Sequence, residues 1–447
     1  MTVRQRVLLG GLALCGAAQA VLARQGAAGG GILAHRYALL AGILLWGLLG
    51  AVGVACALQA PARQVLGLLL VIGVLVPVAA LSAKAPLSDD LYRYAWDGVV
   101  QTSGTDPYRY PPLDPHLASL RDPYLFPPGH YPRINRPAVR TIYPPVAEAW
   151  FAVEHLIVPR SAHDLGYEIV GLLLVLALLG VLLALLEDRR RLSLWVLSPL
   201  PAVEVVANAH VDALALLLTL LSVLLARRRP LPAVALLAAA TLVKLYPAVL
   251  LPLLLVDRRA RVRKVVLFVG LCGAAYLPHV FAVGRQVIGY LPGYLREEHY
   301  GQGSRYLLLG LLGLGGTAAS VAVVVLAALA LALVLRARLP LPESATRLLV
   351  VLLLLATPVQ PWYALLLLGC LTAAGAWWAL PVTLAAYPLY FAAVLDGDQV
   401  LLGRLGYGLA ALLTGFLLTR PRQPGAQVSR ESSLSRTVGH SPASNEK

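Results

Sequence analysis

Thirty consecutive residues, from Tyr306 to Leu335, carry no charged side chain. A helix of about 20 apolar residues spans the hydrocarbon core of a bilayer, so this run is long enough to cross one. It is one of a series covering 7–23, 37–60, 65–83, 165–186, 192–207, 209–226, 231–243, 246–256, 265–283, 306–335, 346–357, 362–375, 376–394 and 400–419. In hydrocarbon every backbone N–H and C=O must be satisfied within the protein, so segments of this kind fold as helices. Composition agrees: 59% of the 447 residues are hydrophobic, 13% are charged and mean hydropathy is +0.74, whereas soluble domains carry about 25% charged residues. The expectation is an all-α, polytopic integral membrane protein of about 12 to 14 membrane segments. The stretches 231–243 and 246–256 are short and carry Pro247 and Pro252, so half-helices lining a cavity are expected there.

The net charge of +15 would suggest nucleic acid in a soluble chain. Here the basic residues cluster in short connections between apolar runs, as cytoplasmic loops do, and no nucleic-acid partner is expected. Arg189 to Arg191, Arg227 to Arg229, the five basic residues in 257–264, and Arg336 with Arg338 are assigned to the cytoplasm. Arg4, Arg6 and the tail then fall on the same side. The first stretch is either a retained span or a signal peptide ending near Ala18-Gln19-Ala20. The four cysteines, Cys15, Cys56, Cys272 and Cys370, lie in apolar segments without a pairing pattern.

Four regions follow: N-terminal spans 1–83, a large outer loop region 84–164, a membrane core 165–420, and a disordered, dispensable cytoplasmic tail 421–447. Residues 84–145 hold 12 of the 32 prolines, 7 of the 19 tyrosines and 6 of the 22 acids. Disordered segments are poor in aromatics, so this loop is expected to fold, with 146–158 as an interfacial helix carrying Trp150 and Phe151.

The loop opens with Ser88-Asp89-Asp90-Leu91-Tyr92-Arg93-Tyr94-Ala95-Trp96-Asp97-Gly98. If 89–101 is helical, Asp90, Tyr94 and Asp97 share a face, and Arg93 can pair with Asp90 three residues back. One reading makes the aspartates helix-dipole partners behind a Ser88 cap; the other makes them chemical groups. Ionisable residues in or near membrane segments are expensive and functional by default, which singles out Glu204, His210, Asp212, Lys244, His279 and Arg305. Glu204, Asn208, His210 and Asp212 form either a polar knot or part of a site. No compact set of three or four ligands accompanies His210 and Asp212, so zinc is not expected. Lys244 either snorkels or clamps an anion, and Arg305 is either solvated or a substrate contact. The tyrosines 92, 94, 108, 110 and 143, with Trp96 and Trp362, are either an interfacial belt or a stacking platform, with Trp96 the best platform candidate. P-loop, GxGxxG, HExxH and GxSxG patterns are lacking.

The run from Asp90 to Gly98, then Gly104-x-Asp106-Pro107-Tyr108, then Thr141-Ile142-Tyr143-Pro144-Pro145 resembles the first outer loop of the GT-C membrane glycosyltransferases. The likeness is to glycosyltransferase family 87 and the actinobacterial polyprenol-phosphate-mannose-dependent mannosyltransferases. Asn208-Ala209-His210-Val211-Asp212, Lys244-Leu245-Tyr246-Pro247 and Pro361-Trp362-Tyr363 extend it over roughly residues 65–420; family 87 often has glycine where Ala209 stands. The resemblance implies inverting transfer of a sugar, mannose, from a polyprenyl phosphate to a glycan or glycolipid acceptor at the outer face of a bacterial plasma membrane, in envelope assembly. By the same resemblance the acidic pair holds the base, with Asp90 preferred and Asp89 second. Arg93, Tyr94, Trp96, Asp97, His210, Asp212, Lys244 and Arg305 are then the expected substrate contacts; no cofactor and no metal is expected. The chemistry agrees with the residue types: an attacking hydroxyl needs a carboxylate within reach, and a departing phosphate needs cations already in place. The rival reading is a transporter or lipid-linked-sugar flippase, which would need buried charges along a path through both leaflets.

Overall fold

The computed structural model describes residues 1–28, 31–81, 87–256 and 260–419. The tail 421–447 and Arg258 and Arg259 of one basic cluster lie outside the described residues. Among those described, the chain is helical without a strand. The helices of eight or more residues are α1 (Val3–Ala28), α2 (Tyr37–Gln59), α3 (Ala62–Ala79), α4 (Asp90–Thr102), α5 (Pro145–Ile157), α6 (His163–Leu185) and α7 (Asp212–Leu225). They continue with α8 (Pro230–Thr241), α9 (Arg261–Val283), α10 (Gly316–Ala337), α11 (Leu341–Ala356), α12 (Ala364–Ala374), α13 (Tyr387–Val394) and α14 (Gln399–Thr419).

Among the described residues, eight helical stretches are long and apolar enough to cross a membrane: Val3–Gly26, Tyr37–Gln59, Ala62–Ala79, Arg160–Leu185, Arg261–Glu297, Gly316–Ala337, Trp377–Val394 and Gln399–Thr419. A ninth is a broken pair, Pro201–Ala207 with Asp212–Leu225, bent by 117°. The expected 12 to 14 segments include pieces shorter than a full crossing, such as Pro230–Thr241 and Pro361–Ala374. Several apolar runs are pieces of broken spans: 246–256 is a short 3-10 turn followed by one turn of α-helix at Pro252, and α8 has only 12 residues. Proline removes an N–H and blocks the preceding turn, so these runs cannot extend to the roughly 20 residues a crossing takes.

α1 packs on α2 and α3. Its Gln19, fully buried, donates to the Leu197 carbonyl at 2.9 Å, so the Ala18-Gln19-Ala20 sequence lies inside the bundle. The loop region that follows α3 is built around α4 against α5. Gly98 makes their contact possible: a Cβ there would sit 2.3 Å from the Phe151 carbonyl oxygen. α5 matches the expected helix at 146–158, with Phe151 in the core and Leu156 and Ile157 facing outward.

The aromatics of this region are neither a belt nor an open platform. Tyr94 stacks on Phe151 with centroids 4.5 Å apart and meets Tyr143 edge-on at 5.2 Å, and the Tyr108 hydroxyl donates to the Tyr143 carbonyl at 2.6 Å. Trp96 is 1% exposed and packed against Phe126. With its ring enclosed it has no free face for a sugar, which corrects the platform expectation. The physical reason is that a loop without regular structure needs its own core, and large aromatics bury the most apolar area per residue.

The bundle has two chemically distinct ends. Arg190 donates to the Leu58 carbonyl near the end of α2, and Arg191 donates to the Ala374 carbonyl at the end of α12. The opposite end of α12 begins beside Trp362, about 16 Å away for 11 residues at 1.5 Å rise. There the polar motifs meet.

Candidate active site

The end opposite the arginine turns gathers residues from six parts of the chain. Its organising element is the break in the bent pair. Pro201–Ala207 is a π-turn segment, and α7 starts afresh at Asp212. The intervening Ala209 has φ +49°, the left-handed region where an L side chain is strained and glycine is not. The break turns Asn208, His210 and Asp212 inward, all 0–1% exposed. Asn208 accepts from the Leu87 N–H at 2.8 Å and donates to Glu204 Oε2 at 3.1 Å, while the Tyr390 hydroxyl donates to the Leu87 carbonyl at 2.5 Å. The residue just before the acidic run is thus tied to the hinge.

The acidic pair follows at once. Ser88 Oγ accepts from the Asp90 N–H at 3.2 Å, and the Asp89 side chain makes no capping bond to the helix. Neither carboxylate is therefore needed as the cap. Asn135 Nδ2 bridges them, donating to Asp90 Oδ1 at 2.6 Å and to Asp89 Oδ1 at 3.2 Å. Asp90 Oδ2 lies 3.5 Å from the Tyr94 hydroxyl and 3.9 Å from His210 Nε2, with 15% of the side chain exposed. Crowding by the surrounding loop, and secondarily the adjacent Asp90 charge, hold the Asp89 carboxyl above the usual carboxylate range although the residue is exposed.

Arg93 does not pair with Asp90. It holds Asp97 at 3.0 Å, one helical turn on, and its Nη1 donates to the Val139 carbonyl at 3.2 Å. Both partners are at most 5% exposed. Glu148 sits next to them, accepting from Thr141 Oγ1 at 2.6 Å and from Gln101 Nε2 at 3.0 Å. Burial, and secondarily the Asp97 charge, hold its carboxyl well above the usual range. Arg93 and Asp97, expected in substrate contact, are placed in the α4–α5 core instead.

Lys244 follows α8 and is 13% exposed. It pairs with Asp212 Oδ2 at 3.2 Å, and Tyr246 donates to Asp212 Oδ1 at 3.1 Å. Its ammonium lies 5.1 Å from the Tyr143 ring centroid and 5.7 Å from that of Tyr363. It does not snorkel. Arg305 is also committed: its Nη2 pairs with Glu298 Oε2 at 3.1 Å and its Nε donates to the Glu298 carbonyl at 2.9 Å. Gln360 donates to Glu298 Oε1 at 2.8 Å. Arg305 thus braces the segment that carries Trp362, which stacks on the His210 ring with centroids 3.9 Å apart. His279 contacts Asp106 at 2.8 Å, which explains the acid of the Gly-x-Asp-Pro-Tyr motif as an anchor between the loop and α9.

Sequence reasoning missed Asn135 and Arg136. Arg136 donates to Glu297 Oε2 at 2.9 Å, is 45% exposed and lies within electrostatic reach of Asp90. Both sit in irregular loop with no periodicity to mark them. Among the described residues, no group of three His, Cys, Asp or Glu is placed to hold a metal ion.

Residues 141–358, a little under half of the chain, match the model of glycosyltransferase family 87. The all-helical polytopic fold agrees with this partial match, which makes the chain similar to a family of glycosyltransferases. Family 87 is the one the motifs resemble, and the matched stretch contains His210, Asp212, Lys244 and Arg305 while the acidic pair precedes it. No curated protein and no solved structure matches the chain significantly.

Proposed function

We propose that this glycosyltransferase uses a polyprenyl-phosphate sugar, mannose, and transfers it with inversion to a hydroxyl of a glycan or glycolipid acceptor at the outer face of a bacterial plasma membrane. The observation that carries the reading is the Asp90 carboxylate, which is relieved of helix capping by Ser88, left by Arg93, partly exposed, and linked through Tyr94 and Tyr143 to Lys244. Asp90 takes the acceptor's proton as the oxygen attacks C1 from the face opposite the phosphate. The leaving phosphate takes the bonding pair and is held by Lys244, whose ammonium then faces both Asp212 and the phosphate. Arg136 is the more open second cation; Arg305 acts at one remove, through Glu298 and Gln360.

Asp90→Asn keeps size and hydrogen-bonding shape, so it tests the base alone. With a labelled polyprenyl-phosphate-mannose donor in membranes, its turnover should fall about 10²- to 10⁴-fold while donor binding persists. Turnover near that of the native protein would reject the base, and transfer from a nucleotide sugar without the lipid donor would reject the donor class.

A further inference from the structure

We infer that His210, held by Glu204, accepts the proton from Asp90 and so acts as a positioning and relay residue for the base; this rests on the reading of Asp90 above. The His210 ring is fully buried. Its Nε2 is 3.9 Å from Asp90 Oδ2 and its Nδ1 is 3.1 Å from Glu204 Oε2, while neither nitrogen has a well-aligned hydrogen bond. A buried ring nitrogen without an aligned partner, aimed at a partly open carboxylate, is costly unless a function uses it. Glu204 is itself fixed from two sides, by Tyr387 donating to Oε1 at 2.5 Å and Asn208 donating to Oε2 at 3.1 Å. Trp362 stacks on the ring and sets its plane. The three groups form an ordered line: carboxylate, imidazole, carboxylate.

The step balances. The acceptor O–H bond breaks and its proton goes to Asp90, the new O–C1 bond forms, and the C1–O bond to phosphate breaks with its electron pair going to the phosphate. Asp90 then passes the proton to His210 Nε2 across a gap that must close from 3.9 Å or be bridged by one water. The imidazolium so formed is paired with Glu204; once product has left, the proton returns through Asp90, which is 15% exposed, to solvent, so that His210 is neutral and Asp90 ionised for the next acceptor. The titratable and charged groups near the ring are Glu204 on the π-turn segment, Asp90 with Asp89 at the head of α4, Tyr94 beyond Asp90, and Asp212 with Lys244 on α7 and after α8. Tyr387 and Tyr390 on α13 complete the shell.

The test is a double-substitution cycle in membranes carrying the full chain. His210→Gln should lower kcat at least tenfold, by less than Asp90→Asn does, with KM for the polyprenyl-phosphate donor unchanged. In the Asp90→Asn background the same substitution should cost nothing further, because there is no proton to pass. Glu204→Gln should move the acid limb of the kcat–pH profile to lower pH, since an unpaired imidazolium forms less readily. Should the His210 and Asp90 losses multiply independently, or should Glu204→Gln leave the pH profile in place, the relay is wrong although Asp90 remains the base. An active Asp90→Asn protein would instead remove the base on which the relay rests.

Discussion

Arg93 and Asp97 close an ion pair at 3.0 Å inside the contact between α4 and α5, and this leaves Asp90 without the arginine. The two charges are 5% and 3% exposed, so each is tolerable only through the other. Arg93→Ala should destabilise the protein by about 3–5 kcal/mol, because the Asp97 charge would stay buried. The apolar double substitution Arg93→Met with Asp97→Leu should recover much of that loss. Thermal unfolding of the three proteins in detergent decides it: a double variant as unstable as the single one would mean that the pair does more than cancel charge.

Gly98 is the point where the two helices touch. Its missing Cβ leaves room for the Phe151 backbone, which cannot move aside as a side chain could. Gly98→Ala should therefore cost about 1–3 kcal/mol, the range for overpacking, and shift Asp90 together with α4. Activity lost with unchanged unfolding temperature would contradict this.

Lys244 cannot be tested by simple truncation. Lys244→Ala strands Asp212, which is fully buried, and should lower stability by about 3 kcal/mol whatever its role in donor use. Adding Asp212→Asn removes the stranded charge, so the double variant should regain its stability and remain poor in donor use. Recovery of both stability and donor use would show that the lysine serves Asp212 alone.

Glu154 on α5 gives the region around α4 and α5 a pH dependence. Burial pushes its carboxyl up to about 8, against a Trp150 hydrogen bond that favours ionisation. Between its unfolded value of 4.5 and about 8, the folded state binds the proton and the unfolded state does not. Stability should thus fall as pH rises through that window. Glu148, also raised, acts in the same sense. Unfolding temperatures at pH 5 and pH 8 should differ less in Glu154→Gln than in the native protein; an equal difference would rule the group out.

Sidedness is open to direct labelling. Ser119 in the loop region and Ala337 at the arginine end are exposed. An impermeant thiol reagent on intact cells should label Ser119→Cys and spare Ala337→Cys. Ser344 is buried and donates to the Leu339 carbonyl, so it would be a poor probe of the same side. The reverse pattern would place the acidic pair in the cytoplasm.

The sequence by itself determined the solvent of this protein, its helical class and where its costly ionisable residues lie. Apolar runs without charges admit only one regular structure in lipid, and ionisable residues within or beside such runs stand out because they are costly there. His210, Asp212 and Lys244 stand out for that reason, and Asp90 through the acidic run that opens the loop. Their partners were not. Spacing along α4 allowed Arg93 to reach either aspartate, and only the packing of α5, which shuts water out around Asp97 and Glu148, sent it to Asp97. Trp96 was equally undecided until Phe126 covered it, and Arg305 until Glu298 took its charge. Asn135 and Arg136 reach the acidic pair and its surroundings through an irregular loop, where no period links sequence position to direction in space. Which charges are left at the candidate site depends on which others are neutralised in the core, and that pairing is made across the tertiary fold.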